Sequence, residues 1–349
     1  MNDERNVPRI EPDECRLPTG EVLSIHLFRP EDSPGIGKLF RTVYGDSYPV
    51  KHYYSPEGLA RALESGENYS VVARTQTGDI VGHVGLFRSS PYPGLYECGA
   101  GLVLPEYRNG GVSLVMMEHL YERLTPGLGL EAVWGEAVCN HIFMQKICKH
   151  HKHVETGIEV DLMPAETYAK EKSSSGRVAS LVVFRSYASR PHTVYLPPVY
   201  ENVLRFIYSG LDDRRALAIS RGKPPVDAAT CASTEIYDFP GVVRIAVRTL
   251  GEDFESHFHS LENKILSERI KVVQVSIDLG CPWSGHAVEV LRGRGYFLGG
   301  VLPRWFGNDA LLMQKVVGRP GWDGIHLFSE GAGEMFGIIK NDWQEVTQS

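Results

Sequence analysis

The chain has 349 residues, with 36 basic and 43 acidic side chains and a net charge of −7. That length exceeds what one compact core needs and predicts two domains, while a composition near the globular average excludes a disordered chain. The acidic balance gives no general field for nucleic acid or anionic lipid, and six cysteines without a CxxC pair ask for no oxidising compartment.

The first 20 residues are polar and partly acidic, unlike a secretory signal, and no apolar run approaches the ~20 residues of a membrane helix. The expectation is a cytoplasmic protein without membrane contact, preceded by a flexible arm over residues 1–20. Val22 to Phe28 reads as a strand, and Asp32 or Ser33 can cap a helix running to about Tyr44. After an aromatic loop, Ser55-Pro56-Glu57 starts a second helix with Ser at the cap and Pro at its first position.

Three β-rich runs follow, at 69–74, 80–88 and 96–104, and the turn composition between the first two predicts an antiparallel meander. Leu114, Val115, Met117, Leu120, Tyr121 and Leu124 then recur at helical spacing until Pro126-Gly127. A strand at 132–139, a helix from Asn140 to about His150 and strands at 154–163 and 178–187 complete the succession, the last two around the polar insertion AETYAKEKSSSG. The order is β-α-α-β-β-β-α-β-α-β-β.

Residues 189–199, with three prolines, read as an interdomain linker. Beyond them, 200–208 and 214–221 suggest helices, followed by strands at 234–237 and 242–250, a helix at about 252–268 and a strand at 271–279. ETGIEVDLMPAET followed by ASLVVFRS, and YFLGGVLPRWF followed by DALLMQKV, each give a strand into Pro, an excursion and a closing strand, as if one fold were used twice.

Chemistry concentrates in Arg108-Asn109-Gly110-Gly111-Val112-Ser113, between a strand end and a helix start. Unpaired N–H groups converge there, the helix dipole is positive, and glycines admit close approach, so the turn suits a pyrophosphate with Arg108 adding a charged contact. An ordinary glycine turn with a surface arginine would read the same from the hexapeptide alone. A dinucleotide fold would need a βαβ unit with parallel strands, whereas this loop follows a meander preceded by two helices.

The element order, and the run Val103-Leu104-Pro105-Glu106-Tyr107-Arg108-Asn109-Gly110-Gly111-Val112-Ser113, resemble the GNAT acyltransferase superfamily over about residues 22–187. Arg108 and Gly111 match its loop pattern; Ser113 departs from it with a still small residue. The resemblance implies an α/β (α+β) fold of two tandem GNAT-like domains, each a mixed, mostly antiparallel sheet flanked by helices, at 21–188 and 200–349. It also implies acetyl-CoA or another acyl-CoA as co-substrate, bound by Leu102, Val103, Leu104, Arg108, Asn109, Gly110, Gly111, Val112 and Ser113. The second domain is similar in outline only: GEDFESHF stands where the coenzyme loop belongs, and Glu252, Asp253 and Glu255 would repel phosphate.

Attack of an amine on a thioester needs a group to take the proton. Glu97, where several such enzymes carry a base, is the first candidate; a solvated strand-end residue is its other reading. Glu136, a carboxylate in an apolar strand and therefore paired or used, is the second. His83 is the third, with a buried hydrogen-bonded imidazole as the alternative. Cys148 stands where the superfamily often has an acid Tyr, and Cys139 reads as an inert buried thiol. His150, His151 and His153 read as a basic helix end rather than a metal site. The tyrosine-rich loop 44–54 suits a small polar acceptor or packing on the second domain.

The resulting expectation is transfer of an acyl group from acyl-CoA to an amine of a small molecule. Tandem transferases of the Fem type take aminoacyl-tRNA instead, against which the net charge of −7 counts and for which only the 149–153 cluster speaks. A non-catalytic CoA-binding sensor is the remaining alternative.

Overall fold

The structure is a computed structural model and describes residues 10–46, 48, 50–164, 176–265 and 269–348. The insertion at 165–175 and the end of the helix expected to reach 268 lie outside the described residues. The chain forms two compact units, which divide between Gly135 and Glu136.

In the first unit, β1 (Asp13–Arg16), β2 (Val22–Leu27), β3 (Asn68–Arg74), β4 (Ile80–Phe87) and β5 (Leu95–Val103) pair antiparallel in that order. The start of β6 (Ala132–Val138) joins β5 in parallel. The meander is therefore as expected, because each run alternates side chains between two covered faces and the Thr75–Asp79 turn reverses the chain. One face is covered by α1 (Ser33–Tyr44) and α2 (Pro56–Glu64), whose Ile36, Leu39, Phe40 and Leu59 pack with Val72 and Leu102. Ser55 caps α2 by accepting the Gly58 N–H at 3.1 Å, as its sequence predicts. Asp32 caps nothing at α1: its carboxylate takes the Arg29 N–H and pairs with Arg74.

Beyond β5, α3 (Val112–Glu118) runs on through a π-helical stretch, His119–Leu124, into a last turn, α4 (Thr125–Gly127). Residues 13–16, expected in a flexible arm, are β1. Cys15 and Leu17 are buried, and Asp13 pairs with His119 and Arg123, so apolar burial and ion pairs dock this segment.

The second unit holds α5 (Phe143–His150), β7 (Val154–Pro164), β8 (Arg177–Ser186), β9 (Thr193–Leu196), α6 (Glu201–Ser209), β10 (Ala216–Ile219) and β11 (Cys231–Tyr237). It continues with β12 (Val242–Thr249), α7 (Phe254–Ile265), β13 (Val272–Asp278), α8 (Ser284–Arg292), β14 (Phe297–Leu302), β15 (Ala310–Val316) and α9 (Glu330–Gln348). Its sheet runs β8-β7-β14-β15-β13-β12-β11, antiparallel except for the β12–β13 pair.

Two expectations change here. The helix expected over 214–221 is β10, paired in parallel with β9; a run this short cannot nucleate a helix alone, and its backbone bonds go to β9 instead. The proline-rich segment 189–199 contains β9, with Val194 and Leu196 wholly buried, and lies inside the second unit by compactness. The 19-residue helix α9 buries Met335 and Ile339 in the core.

The repeated strand-into-Pro pattern has a structural counterpart: β7 and β14, the two repeated strands, pair antiparallel at Gly157 and Gly300. The contact leaves no room for side chains. A Cβ on Gly300, whose φ is 127°, would lie 2.3 Å from the Gly157 Cα, and one on Gly157 would lie 2.7 Å from the Gly299 carbonyl oxygen. Gly300→Ala is expected to destabilise the protein by about 2–5 kcal/mol through overpacking and backbone strain. A lowered urea midpoint checks this; an unchanged midpoint would mean the strands are not in this register.

Candidate functional site

The anion turn grows out of the end of β5. Pro105–Tyr107 forms one 3-10 turn, Arg108 folds back so that its Nε donates to the Val103 carbonyl at 3.1 Å, and Asn109 and Gly111 take positive φ values of 65° and 81°. This path brings successive amides to the start of α3. Among the described residues, the N–H groups of Gly110, Gly111, Val112 and Ser113 donate to no protein acceptor; the first bond of the helix is Val115 N–H to Gly111 O, 3.1 Å. Four unsatisfied donors at the positive end of a continuous helix are the physical definition of an anion cradle.

Leu17 packs directly on the turn: a Cβ on Gly110 would sit 2.6 Å from Leu17 Cδ2. The Cys15 thiol also points to the Gly110 carbonyl, so β1 buttresses the turn from behind. Of the three strand residues expected to line the coenzyme, Leu102 and Val103 have buried side chains, and the Leu104 N–H is already bonded to Val81 O at 2.9 Å.

β5 is irregular just before the turn. It pairs with β6 from Leu95 to Cys98, and its remaining residues, Gly99–Val103, extend past that pairing. Its pairing with β4 slips between His83 and Gly85, where Ala100 adopts φ 52°: a β-bulge. Glu97 lies opposite Phe87, partly exposed, and its Oε1 leans along the strand to within 3.4 Å of where a Gly99 side chain would begin. The carboxylate thus reaches toward the bulge beside the Phe87 ring, whose Cε1 lies 3.0 Å from the same point.

Above the Gly85–Gly99 pair lies a network built on the tyrosine-rich loop 44–54 together with Asn68. The Tyr53 ring stacks on Phe40 at 4.4 Å, and the Asn68 amide donates to the Tyr53 oxygen at 2.9 Å while meeting His52 Nε2 at 3.0 Å. Burial, reinforced by the charge of Glu97, pushes the Tyr53 phenol well above its ordinary range. Tyr54 closes the loop by donating to the Gly45 carbonyl at 2.8 Å. The described part of the tyrosine loop therefore packs on α1; Ser47 and Pro49 lie outside the described residues.

His83 is wholly buried on β4. Its Nδ1 meets the Ala100 carbonyl and its Nε2 the Ser70 hydroxyl, each at 2.9 Å. A carbonyl only accepts, so the proton sits on Nδ1 and Nε2 accepts from Ser70. Burial pushes the imidazole down to about 4, which keeps it neutral at pH 7. That environment suits a structural imidazole and offers no route for a substrate proton.

Glu136, in the second unit, is paired. Its Oε1 accepts from Arg244 Nη2 at 2.7 Å, and the same nitrogen reaches Glu159 Oε1 at 3.2 Å, which Gln274 also holds at 2.8 Å. Burial first, and then the neighbouring charge of Glu136, pushes Glu159 up to about 8. A carboxyl raised in the folded state stabilises fully below its unfolded value of ~4.3 and loses that contribution as pH rises toward 8. Stability should therefore fall over that window in the native protein. Glu159→Gln should flatten the slope, read as urea midpoint against pH; an unchanged slope would show that Glu159 does not titrate there.

The thiols and histidines are accounted for similarly. Cys139 is fully buried and its thiol is pushed up to about 12 by burial, an inert side chain. Cys148 is buried on α5. His151 and His153 are buried, and burial pushes His153 down to about 3, so only Lys149, His150 and Lys152 of that cluster are exposed.

The corresponding strand, turn and helix of the second unit, from β12 to α7, differ at both points. β12 and β13 stay paired in parallel from Val242 to Val247, without the early end seen for β5. The turn is filled by the chain itself. Glu252 N–H donates to Ala228 O at 3.0 Å, Gly251 N–H to Thr230 Oγ1 at 3.1 Å, and Asp253 Oδ1 accepts the Thr230 N–H at 2.7 Å. A Cβ on Gly251 would lie 2.2 Å from Ala228 O. Two of the turn's donors are thus already bonded, and the carboxylates of Glu252 and Asp253 beside them repel a phosphate.

No protein-family model matches the sequence, and no curated protein matches it. Among solved structures, the chain is similar to a ribosomal-protein-S5-alanine acetyltransferase from Vibrio fischeri, at 12% identity and a TM-score of 0.38, over 47% of this chain and 92% of that one. It is similar to a spermidine N-acetyltransferase from Vibrio cholerae at 13% identity and a TM-score of 0.37, over 47% of this chain and 93% of that one. It is also similar to the ribosomal-protein-S18-alanine N-acetyltransferase of Escherichia coli at 15% identity and a TM-score of 0.38, over 48% of this chain and 96% of that one. All three are GNAT acetyltransferases, and each matches about half of this chain.

Proposed function

We propose that residues 21–188 form an acyltransferase domain that binds acetyl-CoA or another acyl-CoA, and that residues 200–349 are a degenerate copy without a coenzyme site. The observation that carries this reading is the run of four unbonded amides from Gly110 to Ser113 at a helix start, beside a strand end whose pairing stops early. The amides and Arg108 would hold the pyrophosphate, and the thioester would lie along Gly99–Val103.

The reaction is attack of a neutral amine on the thioester carbonyl. The N–C bond forms, the C–S bond breaks, coenzyme A leaves as thiolate, and Glu97 takes the ammonium proton directly or through water. A small-molecule amine is the acceptor class. The burial of His151 and His153 weakens the one cluster that favoured tRNA. Among the described residues, no helix is long and apolar enough to cross a membrane, and the reading places the protein in the cytoplasm with its acyl donor.

Calorimetric titration with acetyl-CoA, combined with a free-thiol release assay over a panel of amines, tests the proposal. One coenzyme bound per chain and amine-dependent thiol release support it. No binding would overturn it, and binding without release under any amine would leave a CoA-binding sensor in its place.

A further inference from the structure

We infer that His83 is a positioning residue for acyl transfer, setting the orientation of the peptide between Ala100 and Gly101 at the β5 bulge; this rests on the coenzyme reading above. The Nδ1–H of a buried imidazole, 2.9 Å from the Ala100 carbonyl oxygen, fixes where that oxygen points. In a trans peptide the carbonyl and the following N–H point in opposite directions. The Gly101 N–H is therefore turned away from His83 and from the α1 side of the sheet.

Gly101 itself is exposed, and it lies past Cys98, where the pairing of β5 with β6 has ended. An amide held there can donate to the thioester carbonyl of an acyl-CoA whose pyrophosphate sits on Gly110–Ser113. Charge that develops on that oxygen during attack would be met by a donor already in place.

Two further features favour a clamp over passive filling. Ala100 is a non-glycine residue at φ 52°, a conformation that needs holding, and the hydrogen bond from His83 falls on that residue. The Ser70 hydroxyl lies 2.9 Å from Nε2 and holds the imidazole from the side away from the bulge. His83 touches neither coenzyme nor acceptor in this arrangement, so its effect runs wholly through the Ala100–Gly101 peptide.

The test reads the bound carbonyl. Acetyl-CoA carrying 13C at the thioester carbonyl is bound to the native protein and to variants, and its stretching band is followed by isotope-edited infrared spectroscopy, with affinity measured by calorimetry. The native protein should shift the band to lower wavenumber relative to water. His83→Asn, whose amide nitrogen occupies the Nδ1 position, should keep the shift. His83→Leu and His83→Gln should lose it while still binding acetyl-CoA.

Retention of the full shift in both His83→Leu and His83→Gln would overturn the inference, as would a native complex that binds without any shift. If His83→Leu fails to fold, the Asn and Gln variants decide between them. Failure of the native protein to bind acetyl-CoA removes the coenzyme reading itself, and the role of His83 falls with it.

Discussion

Ser113→Asp should weaken coenzyme binding roughly 100-fold while making the empty protein slightly more stable. A carboxylate about 5 Å from a phosphate at an effective dielectric of about 20 costs about 3 kcal/mol, or roughly 100-fold in affinity. The same charge in the first turn of a helix stabilises the unliganded fold by about 0.3–1 kcal/mol. Opposite signs in the two measurements separate loss of an anion site from damage to the fold. Calorimetry and thermal melting on one preparation suffice, and unchanged affinity would mean that the coenzyme phosphates lie elsewhere.

Glu97→Gln should lower kcat/KM by about 10²–10⁴, the range of a general base, with coenzyme affinity unchanged. Gln keeps the size of the side chain over Gly99 and cannot take a proton, so the acid limb of the pH-rate profile should disappear with the activity. A loss that appears only in coenzyme affinity would assign Glu97 to binding. Full activity would return the role to a water chain or to the acceptor's own titration.

The first half of the fold was readable because its signals were local. The alternation of β3 to β5, the Ser55 cap and the helical spacing after Gly111 each depend on neighbours in sequence. The same holds for the turn itself: glycine at 110 and 111 marks a place where backbone comes close to something, although only the structure shows that at Gly110 the neighbour is Leu17.

What the sequence hid was long-range pairing. Asp13 looks like part of a polar arm until His119 and Arg123 are placed beside it. Residues 214–221 read as a helix because nothing local reveals that β9 is waiting at 193–196. Glu136 and His83 are polar groups set in apolar strands; their partners, Arg244 for the first and Ala100 and Ser70 for the second, stand 108, 17 and 13 residues away. The acidic turn at Glu252 was legible as hostile to phosphate, but the plug formed by Ala228 and Thr230 was not.

The central claim is that the Gly110–Ser113 amides hold the pyrophosphate of a coenzyme, at one site per chain. A crystal structure of the protein with coenzyme A tests it most directly. The account predicts pyrophosphate oxygens at about 2.7–3.2 Å from those N–H groups, with the turn at Gly251 still closed by Ala228 and Thr230. Coenzyme bound at Gly251, or bound with its pyrophosphate away from Gly110–Ser113, would contradict it.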